Sequence, residues 1–190
     1  MDVKKAIEER RAYRSLDKVE ISLETLADLA KCASLAPSCF NNQPWRFVFV
    51  TKEENLLAMR EALSKGNEWA YDASAFIAVC SKPDLDCNLK DGRQYYAFDV
   101  GMSVGLLMLR ATELGLVAHP IAGYSPEKVK EILNIPPEYE VITLIILGKH
   151  SSEIKPSLTE KQVLAEKERP ARLPMEEFAF LDSFGTPFKK

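Results

Sequence analysis

The stretch Ala36–Phe47, APSCFNNQPWRF, has the wrong composition for a solvated loop and for a core segment alike. It holds Pro37 and Pro44, the side-chain amides of Asn41, Asn42 and Gln43, the Cys39 thiol, and the rings of Phe40, Trp45 and Phe47. A loop facing water has no use for that much aromatic surface, and a core would leave the amides without partners. The mixture suits a wall against a flat, polar-rimmed partner. Pro37 stops a helix on one side of the stretch. On the other side RFVFVT (46–51) is a continuous apolar run rich in β-formers and reads as a buried strand.

Working outward toward the N-terminus, Ser22 can cap a helix that keeps Leu23, Leu26, Leu29, Ala30 and Ala33 on its inner side. Before it, Val3, Ile7, Arg10 and Arg14 follow at spacings of four, three and four, one stripe of a helix. The stripe begins apolar and continues as arginine, with Arg11 beside it. Either the helix ends near Arg10 and the arginines are solvated, or they face a buried anion. Phosphate fits the second reading best, since guanidinium forks grip it bidentately.

Toward the C-terminus, ENLLAMREALSK reads as an amphipathic helix, SAFIAVCS (74–81) as a second buried strand and PDLDCNLKDG as turn chemistry. Tyr95 to Leu114 reads as a long helix, apolar on nearly every side and so central, in which Asp99 needs a partner or a wet end. Ser125 followed by Pro126 is a cap with a first-turn proline, opening a helix that runs to about Leu133. EVITLIILG (140–148) is a third buried strand. The tail beyond Lys149 is charged, yet contains FAFL and FGTPF, aromatic surface that needs something to pack on, such as another subunit. Three strands among four or five helices, with no linker or repeat, point to one domain of α/β or α+β sandwich type over residues 1–190.

Bulk properties exclude several classes. A formal net charge of −3 with no long basic run argues against a nucleic-acid surface. The start, MDVKKAIEERRAYRS, is charged throughout and is not signal-peptide-like. The longest apolar-rich run, Ala97–Leu109, is interrupted by Asp99 and is too short for a bilayer, so no membrane association and a cytoplasmic location are expected. Cys32, Cys39, Cys80 and Cys87 include no C-x-x-C pair, and His119 and His150 are far apart. No metal site and four reduced, mostly buried thiols are therefore expected. The glycine fingerprints of dinucleotide and P-loop sites and the G-x-S-x-G elbow are absent.

Three features remain: arginines facing inward, the amide-rich aromatic loop, and PIAG (120–123) before a helix. Together, in the order ERRAYRS, APSCFNNQPWRF, DVGMSVGLLMLRATELGLVAHPIAGYSPEKVKEILNIP, LIILGK and ARLPMEEF, they resemble the nitroreductase family of FMN-dependent oxidoreductases. The resemblance implies an α+β fold, a three-layer α/β/α sandwich around a central mixed, mainly antiparallel sheet. It also implies an intertwined homodimer with FMN at the subunit interface, and residues 151–190 as an extension packing on the partner. It implies that Arg10, Arg11 and Arg14 grip the FMN phosphate and ribityl end. Pro37, Ser38, Cys39 and Asn41 match the loop that covers the isoalloxazine, usually from the partner. Pro120, Ile121, Ala122 and Gly123 match the turn whose backbone N–H groups approach flavin N5 and O4. Arg172 matches a C-terminal basic position that closes the phosphate site in the family, with Arg169 as its substitute.

The implied reaction is hydride transfer from NADH or NADPH to the flavin and on to a small organic acceptor such as a nitroaromatic or quinone, with no catalytic side chain. A flavin carrier or sensor, or a dehalogenase-like or flavin-fragmenting relative, is the alternative. Ala12, Ala122, Cys39 and Phe40 depart from the commoner family pattern, and the short chain implies an open pocket. Asn67 is a candidate contact for the flavin pyrimidine edge. Trp69 and His119 read first as packing residues, and TEKQVLAEKERP as a solvated helix face.

Overall fold

In a computed structural model, which describes residues 1–188, the chain builds one five-stranded sheet between two helical layers. The elements run α1 (Val3–Glu9), β1 (Leu16–Asp17), α2 (Leu23–Ser34), β2 (Arg46–Val50), α3 (Glu53–Ala62), β3 (Ala75–Ser81), α4 (Tyr95–Glu113), β4 (Val117–Ile121), α5 (Pro126–Leu133), β5 (Glu140–His150) and α6 (Glu160–Lys167). The strand order is β1-β5-β3-β2, β4 pairs with β5, and every pairing is antiparallel. The domain expected over 1–190 therefore has only its last two residues outside the description.

Two-residue alternation splits the apolar strands between two cores. Phe76, Ala78 and Cys80 of β3, with Leu144 and Ile146 of β5, meet Leu56 and Met59 of α3 and Val129 of α5. Ala75, Ile77 and Val79, with Ile145 and Leu147, meet Leu26, Leu29 and Ala33 of α2 and Val100, Val104, Leu107 and Ala111 of α4. Both faces of β3 and β5 are covered, which is why these strands read as continuous hydrophobic runs. Each fully buried Leu or Ile here contributes about 1.5–3 kcal/mol of transfer free energy.

Local signals place the helix ends. The Ser22 side chain accepts from Thr25 N, and Ser125 accepts from Lys128 N ahead of Pro126. Asn134 closes α5 in the left-handed conformation at φ +52°. Thr159 and Gln162 make a reciprocal capping box that starts α6.

Several expectations change. Helix α1 stops at Glu9, so Arg10 to Arg14 run as extended chain and the helical stripe does not exist; Val3 and Ile7 are exposed and only Ala6 is buried. Leu23 is exposed on α2 rather than inward. Strand β2 is an edge strand and only half-covered. Helix α4 buries one face, through Tyr96, Asp99, Val100, Ser103, Val104, Leu107 and Ala111, while Phe98 and Leu106 stand exposed. β1 and β4 are strands the sequence did not announce, and Pro120 and Ile121 belong to β4, paired with Ile145 and Leu144, rather than to a turn. Among the described residues no helix is long and apolar enough to cross a membrane.

Candidate functional site

Arg10 caps the C-terminus of α1, and the extended segment after it crosses beneath α6 and the tail. This brings Arg10, Arg11, Ala12 and Arg14 around one cavity of about 330 Å³ with Lys161, Gln162, Ala165, Arg169, Pro170 and Arg172. Five arginines and a lysine line it, and no carboxylate does. The Arg10 guanidinium is held below its ordinary proton affinity, first by burial and then by the positive charges of Arg169 and Arg172. Burial lowers Arg14 as well, offset in part by Glu166. Such mutual repulsion is a cost that a bound anion removes.

The arginines are not equivalent. Arg11 lies over the Tyr13 ring and donates to the carbonyls of Ala165 and Glu166 at 2.7 and 3.0 Å, so its fork is spent at the end of α6. Arg169 donates to the carbonyls of Glu8 and Arg10 at the end of α1. Both therefore build the walls of the cavity. The guanidinium groups of Arg10 and Arg172 donate to no group among the described residues, and that of Arg14 lies over the Trp69 ring. Arg172 is thus the better candidate of the tail pair to meet a ligand. Lys161 and Gln162 are lining residues that the charge alternation of TEKQVLAEKERP concealed. Their only signal was Thr159 three residues before Gln162, the spacing of a capping box.

A chain of contacts leads from the arginines to the turn after β4. Trp69 is buried, stacks on His119 with ring centroids 4.7 Å apart, and donates Nε1–H to Asn67 Oδ1. Asn67 Nδ2 donates to Gly123 O at 2.8 Å, and Ser64 N donates to the same carbonyl. The backbone N–H groups of Ala122 and Gly123 donate to nothing among the described residues. A Cβ at Gly123 would stand 2.3 Å from Asn67 Nδ2, so the Asn67 side chain would have to swing out of its hydrogen bonds. Gly123→Ala is therefore expected to destabilise the fold by about 1–3 kcal/mol through the lost clamp. Asn67→Ala should couple with it strongly in a double-mutant cycle read by urea unfolding, and strict additivity would contradict the clamp.

His119 is a packing histidine, as its sequence context suggested. It is buried, and its Nδ1 lies 3.0 Å from the Tyr13 carbonyl, which fixes the proton on Nδ1. Burial, with Arg14 and Arg10 nearby, pushes its pKa from 6.5 down to about 4. As pH falls, the unfolded chain takes up the proton first. The stabilisation is complete above pH 6.5 and is lost progressively toward pH 4, by an amount on the order of 3 kcal/mol. His119→Gln should lack this component: the stability difference between the two proteins should shrink as pH falls through that window, and a constant difference would contradict it.

The loop of Ala36–Phe47 lies elsewhere on the chain. Cys39 N donates to Asp99 Oδ2 at 2.7 Å, which supplies the partner Asp99 needed, and Gln43 N donates to Ser38 Oγ. Phe40, Asn41 and Gln43 hold left-handed φ values of +47°, +58° and +51°. Pro37 lines an apolar groove with Arg10 and with Met102, Gly105, Leu106, Met108 and Leu109 of α4. No hydrogen bond among the described residues joins Ser38, Cys39 or Asn41 to the Ala122–Gly123 turn. On one chain the candidate site residues therefore fall into a basic cavity, linked to the Gly123 turn through the contacts of Trp69 and Asn67, and a loop on α4 whose Pro37 shares an apolar groove with Arg10.

The expectation of four reduced thiols is corrected. Cys39 and Cys87 form a disulfide across 48 residues, Cys32 is half-buried and free, and Cys80 is buried and free. Two loops packed at the start of α4 bring the pair together, which no spacing rule could reveal. Asp86 completes a group whose ligand atoms lie within 4.8 Å of Cys39 and Cys87, with both sulfurs bonded to each other.

Comparison with known proteins agrees with this architecture. The model of the nitroreductase family matches residues 7–84 and 64–149. A protein of Archaeoglobus fulgidus, provisionally named an NADH dehydrogenase/NAD(P)H nitroreductase, is 33% identical over 153 residues, covering 78% of this chain and 86% of its own. The solved structure of a nitroreductase family protein from Clostridium difficile 630 superposes with a TM-score of 0.79 at 24% identity, over 97% of this chain and 100% of that one. That of an FMN-containing oxidoreductase does so with a TM-score of 0.77 at 29% identity, over 98% and 94%. With the basic cavity, the Gly123 turn and the aromatic loop set on this three-layer sandwich, the chain belongs to the nitroreductase family.

Proposed function

We propose that the chain is an FMN-dependent oxidoreductase that takes a hydride from NADH or NADPH and passes it to a small organic acceptor such as a nitroaromatic or quinone, in alternating half-reactions. The observation that carries this reading is the carboxylate-free cavity of arginines, linked through Trp69 and Asn67 to a turn with free backbone N–H groups. A phosphate monoester fits it: Arg10 and Arg172 have unspent forks, Arg14 adds charge, and Arg11 and Arg169 fix the walls. The name of the Archaeoglobus relative and the flavin of the oxidoreductase at 29% identity support FMN and a nicotinamide donor.

FMN, when bound, supplies the hydride-accepting and hydride-donating centre. The chain's own part is to bind and orient. The Ala122 and Gly123 N–H groups, steadied by Asn67 and Ser64, are donors for a carbonyl or ring-nitrogen edge. No side chain is needed as general acid or base. In this reading the Pro37–Asn41 loop covers the flavin of a second copy, because on its own chain it is anchored to α4 and not to the turn. The exposed apolar residues of α1, α4 and the tail, among them Ile7, Phe98, Met175 and Phe178, supply the dimer contact.

Initial rates with the nicotinamide varied against a quinone should give parallel double-reciprocal lines. Lines that converge would contradict alternating half-reactions. Light scattering should return the mass of a dimer, and a monomer that keeps its flavin would contradict the shared site.

A further inference from the structure

We propose that Cys39 and Cys87 form a thiol–disulfide exchange site whose reactants are a dithiol in one direction and a peroxide in the other, and whose state sets the order of the loop 38–43. On a single chain both cysteines are only half-buried, unlike Cys80. A disulfide in such a position exchanges by direct attack of an external thiolate, without prior unfolding.

The loop it holds is one that does not hold itself. Phe40, Asn41 and Gln43 are all non-glycine residues in the left-handed region. Each such residue costs on the order of 1 kcal/mol or more and persists only where its surroundings impose it. Packing within its own chain does not impose it, since the Phe40 side chain stands 92% exposed there. Turn hydrogen bonds inside the loop, Asn41 N to Ser38 O and Asn42 N to Cys39 O, do not tie it to the body of the protein. The external ties are the bond to Cys87, the Cys39 N–Asp99 hydrogen bond, the Arg46 guanidinium of β2, which donates to Gln43 O at 3.1 Å, and Asn42 Nδ2, which donates to Asp86 Oδ1 at 3.3 Å and lies 3.7 Å from Cys87 Sγ. Cutting the disulfide removes the one covalent tie.

The surroundings also handle protons. A carboxylate oxygen of Asp86 lies within 4.8 Å of both sulfurs. Asp86 Oδ2 and Asp99 Oδ1 are buried without hydrogen-bond partners. Burial raises the proton affinity of Asp99, and the adjacent Asp86 raises it further. The raised proton affinity of Asp99 lets the acidic pair hold a proton at the start of α4, near the bond that breaks.

Reduction runs in two exchanges. A thiolate of the external dithiol attacks one sulfur, the Cys39–Cys87 bond breaks, and the leaving thiolate takes a proton from the carboxyl pair. The second thiol of the reductant then displaces the other cysteine from the mixed disulfide. One disulfide is reduced to two thiols, one dithiol is oxidised to a disulfide, and two hydrogens move. In the other direction a cysteine thiolate cleaves the peroxide O–O bond to give a sulfenic acid and, from hydrogen peroxide, water. The second cysteine displaces the hydroxyl as a further water and reforms the bond.

The test uses the folded wild-type protein with dithiothreitol as the reductant and hydrogen peroxide as the oxidant. After native reduction and alkylation, mass spectrometry should find label on Cys39 and Cys87, with Cys80 protected. Amide hydrogen exchange at residues 38–43 should accelerate on the order of tenfold or more, with β3 and β5 unchanged. Removing the dithiol and adding peroxide should restore both the bond and the slow exchange, and Cys87→Ser should show the fast loop without any reductant. Neither readout depends on a bound flavin. A bond that dithiothreitol reduces only when the protein unfolds, or a loop whose exchange is the same in both states, would overturn the proposal.

Discussion

Arg10→Ala is expected to weaken FMN binding by about 1.5–3 kcal/mol, the worth of a hydrogen bond to a charged group, which is roughly 10–150-fold in Kd. Arg10 is chosen because its guanidinium faces the cavity unspent, while burial and the charges of Arg169 and Arg172 lower its proton affinity. Its place in the fold rests on its backbone, which caps α1 and accepts from Arg169, so the substitution leaves the scaffold in place. Arg10→Lys should recover part of the loss, since charge returns without the planar fork. Quenching of flavin fluorescence on titration gives Kd directly. An Arg10→Ala protein that binds FMN as tightly as the wild type would remove Arg10 from the phosphate site.

Trp69→Ala should cost about 3–5 kcal/mol of stability, the range for deleting a fully buried aromatic side chain. Trp69 is 1% exposed and lies in the core beside β3. It carries three further contacts: the stack on His119, the Arg14 guanidinium 5.8 Å from its ring centroid, and the hydrogen bond to Asn67. Its loss therefore loosens the basic cavity and the Gly123 turn together, and flavin affinity should fall with stability. Trp69→Phe should retain most of the packing while losing the Asn67 bond. Urea unfolding measures the difference, and a Trp69→Ala loss below about 1 kcal/mol would show that the ring is not a core element.

Much of this fold is written in short-range signals. Ser22, the Ser125–Pro126 pair and the continuous apolar run of β3 are local signals, so they can be read without knowing the fold. What depends on distant partners is hidden. Pro120 and Ile121 read as part of a turn only through the family resemblance, yet they belong to β4, which pairs with β5 alone, and an edge strand accepts proline. β1 has only Leu16 and Asp17, too short for any periodicity. The arginine cluster was anticipated from a helical stripe that ends at Glu9; the cluster forms because the extended chain runs under α6 and the tail. Sequence also could not tell which arginines are spent. Arg11 and Arg169 donate Nη2 to carbonyls at the ends of α6 and α1, a matter of tertiary placement. The link between Cys39 and Cys87 is of the same kind.

The most direct measurement of the central claim is the visible absorption spectrum of the purified protein, before and after anaerobic addition of NADH or NADPH. The account predicts a yellow protein, or one that turns yellow on reconstitution with FMN, whose flavin band bleaches with at least one nicotinamide and returns when a quinone is added. A protein that stays colourless in excess FMN, or whose bound flavin is bleached by neither nicotinamide, would contradict it.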